Sequence, residues 1–594
     1  MQPEERSGRI PFGLLLVVLA AAPFLRGLNS RFIWDDRDNY VHNERFRGPS
    51  AANLQWAVST TLLGVYQPVG WLAMELQYPF FGLDPVGYRV VGLAVHAATA
   101  WLLFRFLFRW PAWPSLTGES RAGACFLGAA LYAVNPQRVE PVNWLSCQQY
   151  LWASLFGMLA AHAYLNCLEA PTVAAWRRRL LPFALCFAAA VFSKPAAIAL
   201  PAALAGMALH VLRPRGDWNL RRRAVELFIA ALPAALLGWR TFAARYAADV
   251  VVPPPPGTWS ERLAQAALAL QHHATALVRP FGLSPFYPLT NSMHLGDPRA
   301  ALAAGVALAA LVAALICARK ARGFAIGLVV WIALLSPTLG LVRSGEQAWA
   351  DRYSLLPALV TAFLVVTLIA ARPRLGMAAA VLLTATFAIA SARYCRVFRT
   401  DVDLWRRAAA GPGKDDPYSL SHLGATLMES GALEESRKVL AAAAARFPRD
   451  ADVLHAYGGV LVRYGDLAAG LAALQAASEV RPRDPDIAVN LGAALVTLDR
   501  FPEAVEQFER ALRLSPRHQA ARANLAQFWP RAAAEYEVKL LAAPDDADLA
   551  FKLGRLLLVC GERARGEAVL YELLRKHPDR TDVRELLGEA AKTK

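Results

Sequence analysis

Long apolar runs alternate with short polar segments along the first two thirds of the chain. Eleven of these runs are candidate membrane spans, although several are shorter than the about 20 residues that a bilayer needs and must recruit flanking residues or lean on neighbouring helices. From about residue 400 onward, apolar positions instead recur at helical spacing among Ala, Leu, Glu and Arg. The runs cover residues 11–25, 88–104, 122–136, 150–167, 180–193, 195–212, 225–239, 299–318, 324–342, 355–371 and 375–392. The pattern predicts an all-α protein, with a polytopic membrane helical bundle over 1–395, a linker over 396–415 and a soluble helical domain over 416–594.

Basic residues between the apolar runs set the orientation of the predicted bundle. Arginines at 177–179 and at 221–223 lie in alternate loops, which the positive-inside rule assigns to the cytoplasm. The stretch 263–283 decides the number of membrane spans. It is apolar enough to be a span, but it contains two histidines and an arginine. We interpret it as an interfacial or re-entrant helix, which leaves the amino terminus inside and the carboxyl-terminal domain outside. If it spans instead, the count becomes twelve and that domain is cytoplasmic.

Glycine and proline recur at a fixed interval in the carboxyl-terminal domain. The recurring residues are Gly424, Gly458 and Gly492, and Pro448, Pro482 and Pro516. Each step is 34 residues, and a 34-residue period with Gly at a close helix crossing and Pro at the repeat end resembles the tetratricopeptide repeat (TPR). The step from Pro516 to Pro544 is only 28 residues, so one repeat is predicted to have lost about a turn. The predicted domain is a TPR α-solenoid, whose concave surface is suited to a protein or peptide partner.

Composition changes this picture little but excludes several classes. With 56% hydrophobic and 19% charged residues, the chain is too apolar for a wholly soluble multidomain enzyme. The net charge of +16 falls largely in short loops between apolar runs, so it indicates membrane topology and not nucleic-acid binding. The seven cysteines show neither metal-ligand spacing nor a disulfide framework. The usage of Ala and Arg favours a bacterial inner membrane, with the TPR domain on the periplasmic side.

Candidate chemistry gathers on one side of the predicted membrane. The first outer loop, 29–87, contains Asp35 and Asp36, and later loops on the same side add acids, bases and a tyrosine. These later residues are Arg138, Glu140, Lys194, Asp351, Arg352 and Tyr353. Ionisable groups at a membrane edge are costly unless they are paired or hydrated, so this gathering predicts a functional site. The alternative is a ring of salt bridges that locks the helix ends.

A lipid-phosphate-linked sugar suits this arrangement of charge. Its phosphate would lie at headgroup level, where Lys194 or Arg352 could neutralise the leaving group. Asp35 or Asp36 would take the proton from an acceptor hydroxyl. No metal ligands are predicted, no Gly-rich phosphate loop follows a strand, and a role for a divalent metal is left open.

Several short motifs, taken in chain order, carry a family resemblance. They lie at 32–36, Asn43, 66–68, 87–88, His96, 135–136, 139–142, Trp144, 193–195, 351–353, Pro357 and Trp405. Together they resemble the transmembrane and tetratricopeptide-repeat mannosyltransferases of the C-type glycosyltransferase superfamily, and their bacterial relatives. The resemblance implies a C-type glycosyltransferase-like bundle, a polyprenyl-phosphate sugar donor and an acceptor outside the cytoplasm. It also implies that Asp35 and Asp36 are the paired acids, with Asp36 slightly preferred as the base.

The resemblance assigns further roles and shows some departures. His96 falls at a family position with a donor-phosphate role, although a histidine on an apolar helix face is usually a hydrogen-bonded core residue. Relatives have Tyr-Arg-Pro where this chain has Gln67 between Tyr66 and Pro68, and His-Pro where it has Asn135 and Pro136. They have an Arg and an Asp where this chain has residues 148–150. Two functions follow: a polyprenyl-phosphate-sugar-dependent glycosyltransferase, active or degenerate, and a noncatalytic membrane-anchored TPR scaffold. A transporter is disfavoured, because the charges gather at one rim and not through the midplane.

Overall fold

The computed structural model describes residues 9–111, 113–212, 219–247, 258–289, 293–317, 321–341 and 347–592. These residues are helical with connecting turns, and their strand-like pairing consists of one isolated bridge between Pro288 and Gln347. The chain divides into two compact units, Met1–Pro412 and Gly413–Lys594. The predicted all-α class is therefore confirmed. Residues 318 and 342, at the ends of two predicted spans, lie outside the described residues.

The amino-terminal unit contains sixteen described α-helices, which we number in chain order. They are α1 (Arg9–Ala21), α2 (Ala51–Ser59), α3 (Pro68–Phe81), α4 (Pro85–Arg109), α5 (Gly118–Val134), α6 (Val139–Asn143), α7 (Gln148–Leu168), α8 (Val173–Ser193), α9 (Leu200–Leu212), α10 (Leu220–Ala247), α11 (Trp259–Val278), α12 (Pro298–Cys317), α13 (Arg322–Leu335), α14 (Leu355–Ala371), α15 (Pro373–Tyr394) and α16 (Asp401–Ala410).

Five helical segments of this unit are long and apolar enough to cross a membrane. They are Pro85–Arg109, Leu145–Leu168, Pro298–Ile316, Asp351–Ala371 and Pro373–Phe398. Other predicted spans correspond to shorter apolar helices, such as Phe12–Gly27, Pro195–Val211 and Arg322–Thr338. Large apolar side chains face outward on several helices, for example Leu185 and Ile316, as expected for contact with lipid. The membrane character predicted from the sequence is thus supported, whereas the count of eleven spans is not confirmed. The ambiguous stretch forms α11, which is not among the five.

A buried arginine holds together the two segments that carry the candidate acids and their partners. Arg89, on α4, is fully buried, and its guanidinium donates to the carbonyl oxygens of Ser30, Arg31 (2.6 Å) and Asn143 (2.9 Å). Gly27 lies against the same asparagine, and a Cβ on this glycine would come within 1.6 Å of Asn143 Oδ1. The segment that leads to Asp35 is therefore fixed against the end of α6.

The predicted linker 396–415 contains a helix, α16, that belongs to the amino-terminal unit. Its Leu404, Trp405 and Ala408 form an apolar face that is fully or almost fully buried. Thr400 caps the helix, because its hydroxyl accepts a hydrogen bond from Asp403 N at 3.1 Å. The segment is thus anchored by packing and capping and is not an open connection over its whole length.

The carboxyl-terminal unit consists of helical hairpins. Its helices are α17 (Pro417–Glu429), α18 (Leu433–Arg446), α19 (Ala451–Tyr464), α20 (Leu467–Val480), α21 (Pro485–Thr497), α22 (Phe501–Leu514), α23 (Gln519–Ala542), α24 (Ala547–Val559), α25 (Arg563–Lys576) and α26 (Thr581–Lys592). A Cβ on Gly424 would meet Leu440 at 2.2 Å, and one on Gly492 would meet Phe508 at 2.5 Å. The predicted close helix crossings are therefore present.

The shortened repeat has an unusual form. In place of two helices and a turn, residues 519–542 form one 24-residue helix, α23, with Pro530 inside it. The loss predicted from the 28-residue step therefore removes the turn that would separate two helices. The two parts of the repeat continue as a single rod.

Candidate active site

A cavity of about 570 Å³ in the amino-terminal unit brings together four of the predicted site residues. Asp35, Lys194, Arg352 and Tyr353 all contribute to its wall. They come from three separate segments of the chain: the first outer loop, the end of α8 and the turn before α14. The wall also includes Gln67, Trp71, Trp144, Ser146, Cys147 and Tyr150. An acid, two cations and several aromatic rings therefore share one cavity.

Asp35 presents a carboxylate to this cavity. The residue is half-buried, and its carboxylate has no hydrogen-bond partner among the described residues. Burial raises the pKa of Asp35, and the positive charge of Arg352 opposes that shift, as does Lys194 to a smaller extent. The carboxylate thus interacts with Arg352 and Lys194 through their charges and not through a direct hydrogen bond. Its oxygens remain available to accept a proton.

Asp36 has a different environment, although it is the next residue. It is fully buried and does not contribute to the cavity wall. Its carboxylate accepts hydrogen bonds from Ser146 N (2.7 Å), Ser146 Oγ (2.6 Å) and Ile33 N (3.2 Å). Burial raises the pKa of Asp36 to about 7, and the hydrogen bonds from Ser146 oppose that shift. Asp36 therefore ties the acidic loop to the segment before α7.

Lys194 immediately follows α8 and points its ammonium group at the cavity. Its Nζ donates to Gln67 Oε1 at 2.8 Å and lies 5.0 Å from the centre of the Tyr150 ring. Burial lowers the pKa of Lys194 to about 8. No carboxylate among the described residues forms a direct salt bridge with this ammonium group, so it can receive an anion.

Arg352 is held in place by Glu140. The Glu140 carboxylate, which is almost fully buried, accepts from Arg352 N at 2.8 Å and also pairs with the guanidinium. The guanidinium lies over two aromatic rings, 5.1 Å from Trp144 and 5.0 Å from Tyr353. These contacts fix its position, and such planar stacking suits arginine better than lysine. The charge of Arg352 is thus partly balanced before any ligand binds.

Other predicted residues form a buried network beside the cavity. Asp351 is fully buried and is hydrogen-bonded to His272 Nε2 (3.1 Å) and Tyr287 Oη (3.3 Å). Arg138 Nη2 donates to Ser354 Oγ at 2.7 Å, and burial lowers the pKa of Arg138 to about 10. Neither Asp351 nor Arg138 contributes to the cavity wall. Both residues instead bond within the buried network around the turn before α14.

His96 lies away from this cavity. It is fully buried on α4, its Nε2 is 3.0 Å from Ala133 O, and its ring meets Phe24 edge-on at 5.5 Å. The geometry is that of a hydrogen-bonded core histidine, because the side chain is fully buried and does not contribute to the cavity wall. The donor-phosphate role that the resemblance assigned to His96 has no support from this placement.

Sequence reasoning did not single out Ser146 or the role of Trp34. Ser146 carries no recognisable motif, and its bond to Asp36 joins residues 110 positions apart. In the sequence, Trp34 stands out only as part of the motif at 32–36. No group of three or more His, Cys, Asp or Glu side chains that could hold a metal ion occurs in the part of the chain that the structure describes.

Comparison with known proteins identifies the repeats and one partial relative. A tetratricopeptide-repeat family model matches residues 458–519 and 489–529. Protein O-mannosyl-transferase Tmtc1 of Drosophila melanogaster is 33% identical over 152 residues. The predicted family resemblance is confirmed. The chain is similar to the transmembrane and tetratricopeptide-repeat mannosyltransferases, although the match covers 23% of this chain and only 17% of Tmtc1.

Solved structures give further matches of low overall similarity. YrrB, a TPR protein with an unusual peptide-binding site, is 19% identical and has a TM-score of 0.20, over 32% of this chain and 99% of its own. TTC0263, a TPR protein of Thermus thermophilus, is 20% identical and has a TM-score of 0.19, over 36% of this chain and 94% of its own.

Proposed function

We propose that the protein is a membrane glycosyltransferase that moves a sugar from a polyprenyl-phosphate donor to an acceptor outside the cytoplasm. In this proposal the amino-terminal unit is a C-type glycosyltransferase-like bundle of eleven spans, and the TPR unit presents a protein or peptide acceptor. One observation carries the proposal: the unpaired Asp35 carboxylate, the Lys194 ammonium and the Arg352 guanidinium line one cavity. The partial similarity to an O-mannosyltransferase supports the same reaction class.

The chemistry assigns one role to each of these groups. The hydroxyl oxygen of the acceptor forms a bond to the anomeric carbon of the sugar. Asp35 accepts the proton that this hydroxyl loses. The bond between that carbon and the phosphate oxygen breaks, and the phosphate leaves with the polyprenyl chain. Lys194 and Arg352 stabilise the negative charge that develops on this phosphate.

The two acids therefore differ in their proposed roles. The sequence slightly favoured Asp36 as the base, but Asp36 is saturated by Ser146 and Ile33 and lies off the cavity wall. We assign proton transfer to Asp35, because its carboxylate is exposed to the cavity. Asp36 would act by holding the loop in which Asp35 lies.

A transfer assay with conservative variants tests this assignment. Purified protein is supplied with polyprenyl-phosphate-linked hexoses and with candidate acceptor peptides, and incorporation of label is measured. Asp35→Asn is expected to lower turnover about 10²- to 10⁴-fold, the usual contribution of a positioned general base. Glu44→Gln, a change at an exposed acid of the same loop, is the matched control and should leave turnover unchanged. Equal turnover in wild type and Asp35→Asn would contradict the proposal.

The location of the units belongs to the same proposal. We place the protein in a bacterial inner membrane because of its Ala and Arg usage, and we place the TPR unit on the periplasmic side because of the arginine-rich loops. A reporter that is active only in the periplasm, fused after Lys594, should be active. An inactive periplasmic fusion, together with an active cytoplasmic one, would separate the repeats from the proposed site.

A noncatalytic scaffold is the second candidate. It is favoured by Gln67, which stands where relatives have a cation and whose amide oxygen already accepts from Lys194. The TPR match independently supports protein binding. In this case the Asp35→Asn and Asp36→Asn variants would capture the same partners as wild type, and no variant or wild-type protein would transfer sugar.

A further inference from the structure

Trp34, the residue before Asp35, has a backbone conformation that needs an external cause. Its φ is +48°, and only Asp499 shares a positive φ among the non-glycine residues that the structure describes. Large side chains rarely adopt this left-handed region, because Cβ then crowds the backbone. A residue held there is usually constrained by its surroundings, and such residues cluster at functional sites.

The constraint on Trp34 comes from α16. Trp34 N donates to Asp401 Oδ1 at 2.7 Å, and the second oxygen of this carboxylate pairs with Arg37 Nη2 at 2.8 Å. The Trp405 ring, one turn further along α16, meets the Trp34 ring at 4.9 Å and 61°. A backbone bond from Arg31 N to Arg399 O, at 3.0 Å, adds a third tie. The segment 399–405 thus contacts the acidic loop before, at and after Trp34.

Trp34 is also connected to Arg352, through the ring of Trp144. Its ring stacks on Trp144 with a centroid distance of 4.9 Å and an interplanar angle of 6°. The guanidinium of Arg352 lies 5.1 Å from the centre of the same Trp144 ring. A continuous series of contacts therefore runs from Trp405, edge-on to Trp34, through the stacked Trp144 to Arg352.

The turn at Trp34 also separates the two acids. Asp36 N donates to Ile33 O at 2.9 Å, which closes a tight turn with Trp34 and Asp35 at its centre. Within this turn the Asp35 carboxylate reaches the cavity, whereas the Asp36 carboxylate reaches Ser146. If Trp34 returned to an ordinary conformation, the direction of both carboxylates would change.

We infer that Asp401 and Trp405 are positioning residues, which hold Trp34 in its left-handed conformation and so set the spacing between Asp35 and Arg352. This inference rests on the proposed function for its catalytic consequence, but not for its structural one. The segment that leads from the membrane unit toward the repeats would then be a working part of the site and not only a connection.

Hydrogen exchange tests the structural consequence without any substrate. In the full-length protein, Asp401→Ala removes both acceptors, so the Trp34 amide should exchange about tenfold faster, as expected for a lost charge-assisted hydrogen bond. Asp401→Asn retains an acceptor at Oδ1 and should restore most of the protection. Asp403→Ala is the matched control, because this acid lies on the same turn of α16 and bonds to Thr400 instead. Trp405→Phe, which keeps a buried ring, against Trp405→Leu provides a second pair if Asp401→Ala does not fold.

Turnover tests the catalytic consequence. Asp401→Ala should lower kcat at least about tenfold while the KM for the lipid donor changes less than about twofold, because the base and not the phosphate site is displaced. Asp401→Asn should recover most of that loss, and Asp403→Ala should resemble wild type. Unchanged exchange at Trp34 in both Asp401→Ala and Trp405→Leu would overturn the inference. Faster exchange in a protein whose wild type transfers no sugar would instead uphold the positioning and remove the proposed function.

Discussion

Charged side chains are arranged in opposite ways in the two units. Around the cavity of the amino-terminal unit, Arg138 and Glu140 are almost fully buried, and their partners come from distant segments. In the carboxyl-terminal unit, a typical pair such as Arg575 with Glu572 leaves 70% and 52% of the two side chains exposed. Breaking a buried pair costs far more than breaking an exposed one. The same residue types therefore organise a site in one unit and mainly solvate a surface in the other.

An exception in the carboxyl-terminal unit follows from its irregular repeat. Glu509 is 4% exposed and pairs with Arg555 at 2.8 Å, and Glu506 pairs with Lys552 at 2.8 Å. Tyr536, on the fused helix α23, donates to Glu506 Oε1 at 3.1 Å. One carboxylate of this unit, that of Glu509, is thus buried, and it lies on the helix that precedes the fused helix α23.

The largest effect on stability is expected at Arg89. Arg89→Met would leave the carbonyl groups of Ser30, Arg31 and Asn143 without their donor, and should lower the free energy of unfolding by about 3–5 kcal/mol. Arg105→Met, at an exposed arginine on the same helix, is the control and should change it by less than about 1 kcal/mol. Denaturation of the purified protein in one detergent measures both. Equal losses in the two variants would refute the contrast between buried and exposed charge.

A pH effect on stability is expected at Asp36. Burial raises its pKa from 3.8 to about 7, so the protonated carboxyl is favoured in the folded state. Its contribution is complete below about pH 4 and is lost as the pH rises through about 7, with a total on the order of 2–4 kcal/mol. Asp36→Asn should flatten this part of the curve of unfolding free energy against pH. Asp38→Asn should leave it intact, and a wild-type curve that rises between pH 4 and 7 in step with that of Asp36→Asn would count against the assignment.

A packing effect of about 1–3 kcal/mol is expected at Gly492. Gly492→Ala would bring a Cβ to 2.5 Å from Phe508, and must push apart the two helices of its hairpin. Gly459→Ala, inside α19, would meet only the end of Met428 at 3.8 Å and should be neutral or stabilising, since Ala favours the helix. Urea denaturation of the TPR-containing protein, followed at this unit, compares the two. A neutral Gly492→Ala would show that this hairpin can open at no cost.

The sequence predicted the repeats better than it predicted the site. Gly492 and Pro482 recur because each hairpin repeats the same local packing, which a fixed period reveals. The gathering of Asp35, Lys194 and Arg352 was also predictable, because helices that cross a membrane in alternate directions return their loops to one side. That prediction needed only the distribution of positive charge among the loops.

The separate fates of Asp35 and Asp36 could not be predicted. They depend on the left-handed backbone of Trp34 and on Ser146, which lies far away in the chain and has no signature. The fused helix α23 was likewise hidden, since Pro530 in a shortened repeat indicates a break and not a continuous helix. Tertiary contacts decided these features, and a single sequence does not display such contacts.

A smaller effect, on activity, is expected at Lys194. An ammonium group binds phosphate only while protonated, and burial lowers the pKa of Lys194 to about 8. In the proposed reaction, kcat/KM for the lipid donor should therefore fall above about pH 8, approaching tenfold per pH unit. Lys194→Arg should move this limb beyond the range of the assay, because arginine remains protonated. If kcat/KM falls at the same pH in both proteins, the fall must come from the titration of another group.

The smallest effect is expected at Arg575, which serves as the surface counterpart of Arg89. Its contact with Glu572, at 2.6 Å and three residues away on the same helix, is open to water, so salt and hydration weaken it. Arg575→Ala should leave the free energy of unfolding almost unchanged, and the double variant with Glu572→Ala should show almost no coupling. A clear coupling between the two substitutions would mean that exposed pairs also hold the repeats together, and the contrast between the two units would then fail.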